Sequence, residues 1–445
     1  MTAILEKQWL EAKETARHAM VDTGCWSKQQ QMGRRWAIGC VALEITQRCN
    51  LDCTLCYLSE HSEAVADIPI EEIYRRIDEI HALYGPNTDV QVTGGDTTLR
   101  KRDELISIIR YIKEKNMRST MMTNGIKATR PLMIELAKAG LNDVALHVDT
   151  TQNIKNATDE QSLNKYREKY INNIKGLGIS IMFNTTVHQG NFHEIPDLIK
   201  FFVSHADSIR TVSFQSQADT GRGIADKRAE IITQETVWKQ IEKGLGTPLN
   251  HEAVRTGHKK CNRYGMTVVT NNRAYDLFSN SDLIGDLQAS TSNITFDRKH
   301  KWRTTAKIIG WAFSNPKYIL PIAAWGFDVL KQIKKDLILN KGKVNTLSFF
   351  SHSFMDACNL DQERIDACVF KTMTKDGPVS MCAHNANRDD YILQTIPIVK
   401  EQEVKFWHPL EGKIYGKNPE VVIKNPKNYP KKKLKGKSRL SHCSD

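Results

Sequence analysis

The sequence predicts an α/β protein built on a parallel sheet, with a helical N-terminal extension and a C-terminal domain. Three observations lead there. Residues 41–216 alternate short strand-like runs with longer stretches of helical apolar spacing, the order that parallel β-α-β units require. Glycine-containing turns follow the second and third runs, at Thr93-Gly94-Gly95-Asp96 and Met122-Thr123-Asn124-Gly125. A chain of 445 residues is also long enough for one large domain with appendages.

Residues 1–40 read as the helical extension, with Leu5 to Met20 its helix and Cys25 and Cys40 as structural thiols. The core, 41–220, carries strands near Val41–Thr46, Val90–Thr93, Ser119–Thr123, Asp143–His147, Ser180–Thr186 and Thr211–Gln215. Helical patterns lie between them at Ile70–Leu83, Lys101–Lys115, Arg130–Lys138, Leu163–Leu177 and Ile195–Ser204. Residues 217–300 are polar and weakly patterned, with a helix from Asp226 to Ile241 and a strand at Thr267–Thr270. The C-terminal domain is placed at 221–400 and a basic tail at 401–445.

The net charge of +12 and a pI near 9.1 suit an anionic partner, either nucleic acid or an acidic membrane surface. The first fourteen residues mix charged and apolar side chains, unlike a secretory signal, and the ten cysteines follow no regular even framework. Reduced thiols in the cytoplasm are therefore expected.

Three of those cysteines dominate the functional reading. Cys49, Cys53 and Cys56 lie in Glu44-Ile-Thr-Gln-Arg-Cys-Asn-Leu-Asp-Cys-Thr-Leu-Cys-Tyr57, spaced C-x3-C-x2-C just after the first strand. Three thiolates on one loop can hold three corners of a [4Fe–4S] cube and leave the fourth iron open. Closed tetrahedral zinc would need a fourth ligand nearby, and three clustered cysteines cannot all pair in disulfides. The segment resembles the cluster loop of the radical S-adenosylmethionine (SAM) enzymes. That resemblance implies a partial (β/α)6 TIM-type barrel, with chemistry at the C-terminal ends of its strands. It also implies a reductive cleavage of S-adenosylmethionine to a 5′-deoxyadenosyl radical that takes hydrogen from a substrate carbon. An electron donor such as flavodoxin or ferredoxin would then be a partner.

The later strand ends fit the same resemblance. Gly94, Gly95 and Asp96 are similar to the family's Gly-Gly-Glu motif, in which open backbone and an acid bind the methionine ammonium. Thr123 and Asn124 end strand three, and His147 and Asp149 end strand four; relatives often carry Ser at the position of His147. Asn184 and Thr186 alternate to one side of strand five and would face the ribose or adenine. Tyr57 resembles the residue whose backbone meets the adenine. The remaining cysteines Cys261, Cys358, Cys368 and Cys382, with His258 or His384 as substitutes, are a candidate second [4Fe–4S] or zinc site.

Between residues 302 and 339 the composition shifts. Apolar runs at 308–313 and 318–327 are rimmed by lysine and broken by Pro316 and Pro321, too short for the ~20 apolar residues that span a bilayer. Tryptophan with a lysine rim suits helices lying in a lipid interface, and Lys431–Lys437 suit anionic headgroups. A helical pair packed on the barrel is the alternative. The block Phe354–Arg364, with Cys368 and Asp376–Asn385, resembles the tetraether lipid synthase-like proteins, which activate C–H bonds of lipid chains. The N-terminus lacks the extra metal-binding cysteines of those enzymes, so a related modification of an acyl chain is the expectation. The expected setting is the cytoplasmic face of a membrane, with a lipid substrate. Nucleic acid is not expected, because only Tyr429 accompanies the basic tail as a stacking platform. Peptide or RNA modification and a non-catalytic iron–sulfur protein are the rivals. The Gly-Gly-Asp clamp argues against the last.

Overall fold

The computed structural model describes residues 38–223, 231–292, 294, 301–400 and 403–423, together with residues 7, 11, 14, 17, 18 and 21–24. Six strands run in chain order: β1 (Cys40–Thr46), β2 (Asp89–Gly94), β3 (Arg118–Thr123), β4 (Asp143–His147), β5 (Ser180–Val187) and β6 (Ile209–Ser216). Helices α1 (Ile70–Tyr84), α2 (Arg102–Glu114), α3 (Arg130–Ala139), α4 (Asn164–Ile174) and α5 (Ile195–Ser204) alternate with them. All eleven elements predicted for the core are present, because each has a clean apolar period.

The chain continues through α6 (Gln234–Leu245), the antiparallel pair β7 (Asn262–Thr270) and β8 (Arg273–Asp276), and α7 (Ser281–Ser290). A helical hairpin follows, α8 (Lys301–Ser314) and α9 (Ile319–Leu339), joined at Pro316–Tyr318. Next come β9 (Asn345–Ser353), α10 (Gln362–Asp366), β10 (Phe370–Thr374), β11 (Gly377–Ser380), α11 (Met381–Ala386) and α12 (Arg388–Ile392). A small sheet of β12 (Ile396–Lys400), β13 (Glu403–Trp407) and β14 (Ile414–Tyr415) ends the described chain.

The main sheet has the order β11-β10-β1-β2-β3-β4-β5-β6-β9-β7-β8. Eight neighbours, β10 through β9, are mutually parallel, so two strands from the expected C-terminal region flank the six of the core. The sheet curls until the ends of its parallel portion approach: the His352 ring of β9 meets the Phe370 ring of β10 edge-on at 5.4 Å. Side chains rather than ladder hydrogen bonds thus bridge the seam of the partial barrel.

Strand alternation divides the barrel into two layers. Outward residues such as Leu43, Ile45, Val92 and Phe183 are fully buried against helix residues such as Ile73, Ile77, Ile108 and Ile112. Each such side chain contributes roughly 1.5–3 kcal/mol. Inward residues are smaller or polar, among them Ala42, Gln91, Thr120 and Ser213, and they leave a cavity of about 650 Å³. Arg118, 2.6 Å from Asp143 and 3.6 Å from Asp89, stands at the N-terminal end of this space.

The expected N-terminal helix falls largely outside the described residues; Lys7, Glu11, Glu14, Arg17 and His18 within it are helical. Cys25 and the Lys431–Lys437 run lie outside them. No helix among the described residues is long and apolar enough to cross a membrane.

Candidate active site

At the C-terminal end of β1 the chain turns into the loop that carries Cys49, Cys53 and Cys56, all outside disulfides and partly exposed. Each stretch of that loop is tied to a different neighbour. Arg48 pairs with Asp67 and donates to the Leu99 carbonyl at 2.8 Å. The Cys49 amide donates to Glu63, and the Thr54 amide to the Thr151 carbonyl at 2.8 Å. Arg222 and Gly223 donate their amides to the carbonyls of Leu58 and Cys56, at 2.7 and 3.0 Å.

The glycine pair after β2 serves this loop. A Cβ on Gly94 would lie 1.9 Å from the Thr46 carbonyl oxygen, and one on Gly95 2.0 Å from that of Arg48. The close approach that needs glycine is therefore to the base of the cysteine loop, where Gly95 and Asp96 donate their amides to Thr46 and Arg48 at 2.8 Å each. Asp96 also departs from its expected duty as an open clamp for an ammonium. Its buried carboxylate accepts from the Thr98 amide and hydroxyl, the Thr123 hydroxyl and the Asn124 amide, and so locks the end of β2 to the end of β3. Asn124 reaches the other way, donating to Asn50 at 2.7 Å with its Nδ2 4.0 Å from the Cys49 sulfur.

The cavity opens beside this loop, with Cys56, Tyr57, His147, Asn184 and Thr186 on its wall. The Tyr57 hydroxyl donates to the Gly94 carbonyl, and burial pushes its pKa above the ordinary value, keeping it a donor. His147 Nε2 is 2.7 Å from Asp149 Oδ2 and 3.1 Å from the Thr186 hydroxyl. Burial disfavours the imidazolium, yet the charge and hydrogen bond of Asp149 outweigh it and raise the His147 pKa. Burial likewise opposes ionisation of Asp149, but His147, Thr151 and the Thr186 amide hold its pKa well below the carboxylate range. Asp149 itself is fully buried behind the wall, a support for His147 instead of a wall residue.

The second cysteine group is only partly brought together. Cys261, Cys368 and Cys382 lie within electrostatic reach of one another, and burial pushes the Cys382 thiol up to about 12. Cys358 is disulfide-bonded. Arg364 Nε donates to the Cys261 sulfur at 3.3 Å, the Cys368 thiol donates to the Phe370 carbonyl at 3.0 Å, and His258 and His384 lie 3.2 and 3.9 Å from Glu363 and Glu44. Among the described residues no three His, Cys, Asp or Glu side chains converge on a point fit for one metal ion. The disulfide thus withdraws Cys358 from the expected four-cysteine site, while Cys261 and Cys368 make local contacts.

Two groups escaped the sequence reading. The first is Gly221-Arg222-Gly223 after β6. Both glycines press on the cysteine loop; a Cβ at 221 would sit 2.3 Å from Tyr57 carbon, and one at 223 would sit 2.5 Å from Cys56 nitrogen. Arg222 is 1 % exposed and faces Cys56, with Glu63 at 3.4 Å and Asp52 at 4.0 Å. Burial disfavours its charge, but the neighbouring Cys56, Glu63 and Asp52 outweigh that and raise its pKa, Cys56 also through a side-chain hydrogen bond. A buried guanidinium held against the three-cysteine loop suits a negatively charged cluster, so the donor set fits a [4Fe–4S] group ligated by Cys49, Cys53 and Cys56. The Gly-x-Gly spacing a few residues beyond a strand was the available signal. The second group is Glu44, Arg388 and His384, buried together beneath Tyr57, with the Arg388 guanidinium 4.8 Å from the Tyr57 ring centre. Nothing in the local sequence marks that meeting.

A barrel of parallel strands with a three-thiol loop at its mouth defines the class of this α/β protein. Residues 43–202 match the model of the Radical SAM superfamily. The chain is 26 % identical over 186 residues to a 7,8-dihydro-6-hydroxymethylpterin dimethyltransferase of Methanocaldococcus jannaschii, covering 40 % of this chain and 36 % of that protein. It is 25 % identical over 185 residues to a PqqA peptide cyclase of Bradyrhizobium diazoefficiens, covering 39 % and 46 %. The chain therefore spans less than half the length of these relatives. Among solved structures it is similar to Streptococcus suis SuiB bound to S-adenosylmethionine, with 15 % identity, a TM-score of 0.37, and coverage of 45 % and 46 %.

Proposed function

We propose that this chain is a radical SAM enzyme that takes hydrogen from an unactivated carbon of a lipid acyl chain. The observation that carries the radical chemistry is the meeting of the three-thiol loop with the 650 Å³ cavity at one barrel mouth. When bound, the cluster and S-adenosylmethionine supply the carbon-centred radical that the reaction needs. The protein does the rest. Cys49, Cys53 and Cys56 would hold three irons, and Arg222 would offset the negative charge beside Cys56. Thr93, His147, Asn184 and Thr186 line the wall against which the cofactor would lie.

The acyl substrate is supported by the apolar hairpin α8–α9 and by the likeness of residues 354–385 to lipid-modifying enzymes. A peptide substrate is the second reading, favoured by the peptide cyclases among the relatives. The test is anaerobic incubation of reconstituted protein with reductant, S-adenosylmethionine and a perdeuterated bacterial lipid extract. Mass spectrometry should find deuterium in 5′-deoxyadenosine, and Cys56→Ala should reduce it to background. Cofactor cleavage without deuterium would move the substrate to peptides. Absence of cleavage by iron-loaded protein would overturn the radical reading. Iron retained by a Cys49/Cys53/Cys56→Ala variant would report on Cys261, Cys368 and Cys382.

A further inference from the structure

We infer that the elbow of the α8–α9 hairpin is an anionic-membrane docking point aimed to the same side as the barrel mouth. The two helices expose large apolar side chains that no part of the described chain covers. Phe313 and Leu320 are each 79 % exposed, Trp302 and Phe327 66 %, Ile309 51 % and Ile319 46 %. Three of these, Phe313, Ile319 and Leu320, flank the turn Pro316–Tyr318. Trp311 stacks on Tyr318 at 5.3 Å, which stiffens that turn.

The direction follows from how α9 is fastened. Asp336, near its C-terminal end, is buried and accepts hydrogen bonds from Asn271 at 2.8 Å and from Tyr275, at the β7–β8 turn. That turn lies beside Asn345, the first residue of β9, and so at the N-terminal side of the parallel strands. Eleven residues earlier, Trp325 packs against the small core of Val254, Tyr264, Phe278 and Ile284. Tyr264 pairs with Phe350, far along β9 towards its C-terminal end. The helix therefore climbs from the floor side, and its first turn and the elbow face the side on which the cysteine loop opens.

Charge selects the occupant. Residues 301–339 hold seven Lys and Arg against Asp328 and Asp336, and Asp336 is already bound. An apolar ridge with a basic rim matches acyl chains below anionic headgroups. A second copy of this chain would bring a second basic rim against the first. The inference deepens the lipid reading, yet it is tested without cofactor or turnover.

The experiment is co-sedimentation of the full chain with vesicles of phosphatidylcholine alone or with phosphatidylglycerol. Wild type should pellet with the anionic vesicles and be released by salt. A Phe313→Ser/Ile319→Ser/Leu320→Ser variant should bind at least tenfold more weakly with an unchanged melting curve, since these side chains are exposed. A Lys307→Gln/Lys317→Gln variant, which removes the exposed cations nearest the elbow, should lose the preference for anionic lipid. Wild type remaining in the supernatant with every vesicle would overturn the inference. So would a wild-type dimer that the Ser variant converts to monomer without any vesicle binding. Vesicle binding without deuterium transfer from lipid would keep the docking point and remove the acyl substrate.

Discussion

Gly95→Ala is expected to leave the barrel folded and strip the chain of its iron. The new Cβ would stand 2.0 Å from the carbonyl oxygen of Arg48 and 2.4 Å from its carbon. Both are backbone atoms, so no rotamer change can relieve the clash. The loop base must move, which breaks the Gly95–Thr46 and Asp96–Arg48 hydrogen bonds, both 2.8 Å, one residue before Cys49. Iron per chain after anaerobic reconstitution should fall at least tenfold. The far-UV circular dichroism should persist, because the aliphatic layer between strands and helices lies elsewhere. Gly310→Ala, where nothing lies within 4 Å, is the control that should keep its iron. Wild-type iron content in Gly95→Ala would refute the account of the glycine pair.

Arg388→Met should destabilise the protein by ~3–5 kcal/mol, because it strands the buried Glu44 without its cation. Arg388 Nη2 donates to Glu44 Oε1, Gln47 to Oε2 at 2.7 Å, and His384 is 3.9 Å away. Burial alone would raise the Glu44 pKa, but Arg388 first, then His384 and Gln47, bring it below the ordinary value. Wild-type stability from this carboxylate is therefore present above its unfolded pKa and lost as pH falls through the lower folded one. His384 acts in the same direction. Burial depresses its pKa to about 4 from an ordinary 6.5, so the unfolded chain binds the extra proton between those values. Stability should fall on acidification from pH 6.5 to 4 by ~3 kcal/mol from this residue. In Arg388→Met the imidazolium becomes the only nearby candidate to balance Glu44 from the α11–α12 block, so the variant's deficit should shrink as pH falls. Urea melts across pH 4–8 measure both effects; a deficit independent of pH would show that the loss is packing over Tyr57 alone.

The core was legible because its evidence is local. Asp143–His147 and Ile195–Ser204 were predicted to the residue, since alternation and helical spacing are properties of consecutive side chains. The strands β9 and β10 were missed because their partners, β6 and β1, lie far away in the chain, and a strand such as Phe370-Lys-Thr-Met-Thr374 carries little apolar signal. Asp96 was assigned to a ligand because motif spacing names a residue type without revealing which donors fold around it. Arg222 was invisible for the same reason: it is one arginine among many until β6 sets it against Cys56.

By itself the sequence determined the order of β-α units, the three thiols on one loop and the basic, apolar stretch at 302–339, because each is written in neighbouring residues. Only the tertiary structure decided that the glycine pair braces the cysteine loop and that Arg222 and Arg388 approach it from segments distant in the chain. It also decided that the hairpin's elbow rises towards the mouth. Those facts depend on which distant backbones the curled sheet brings within hydrogen-bond reach, and chain order does not record that distance.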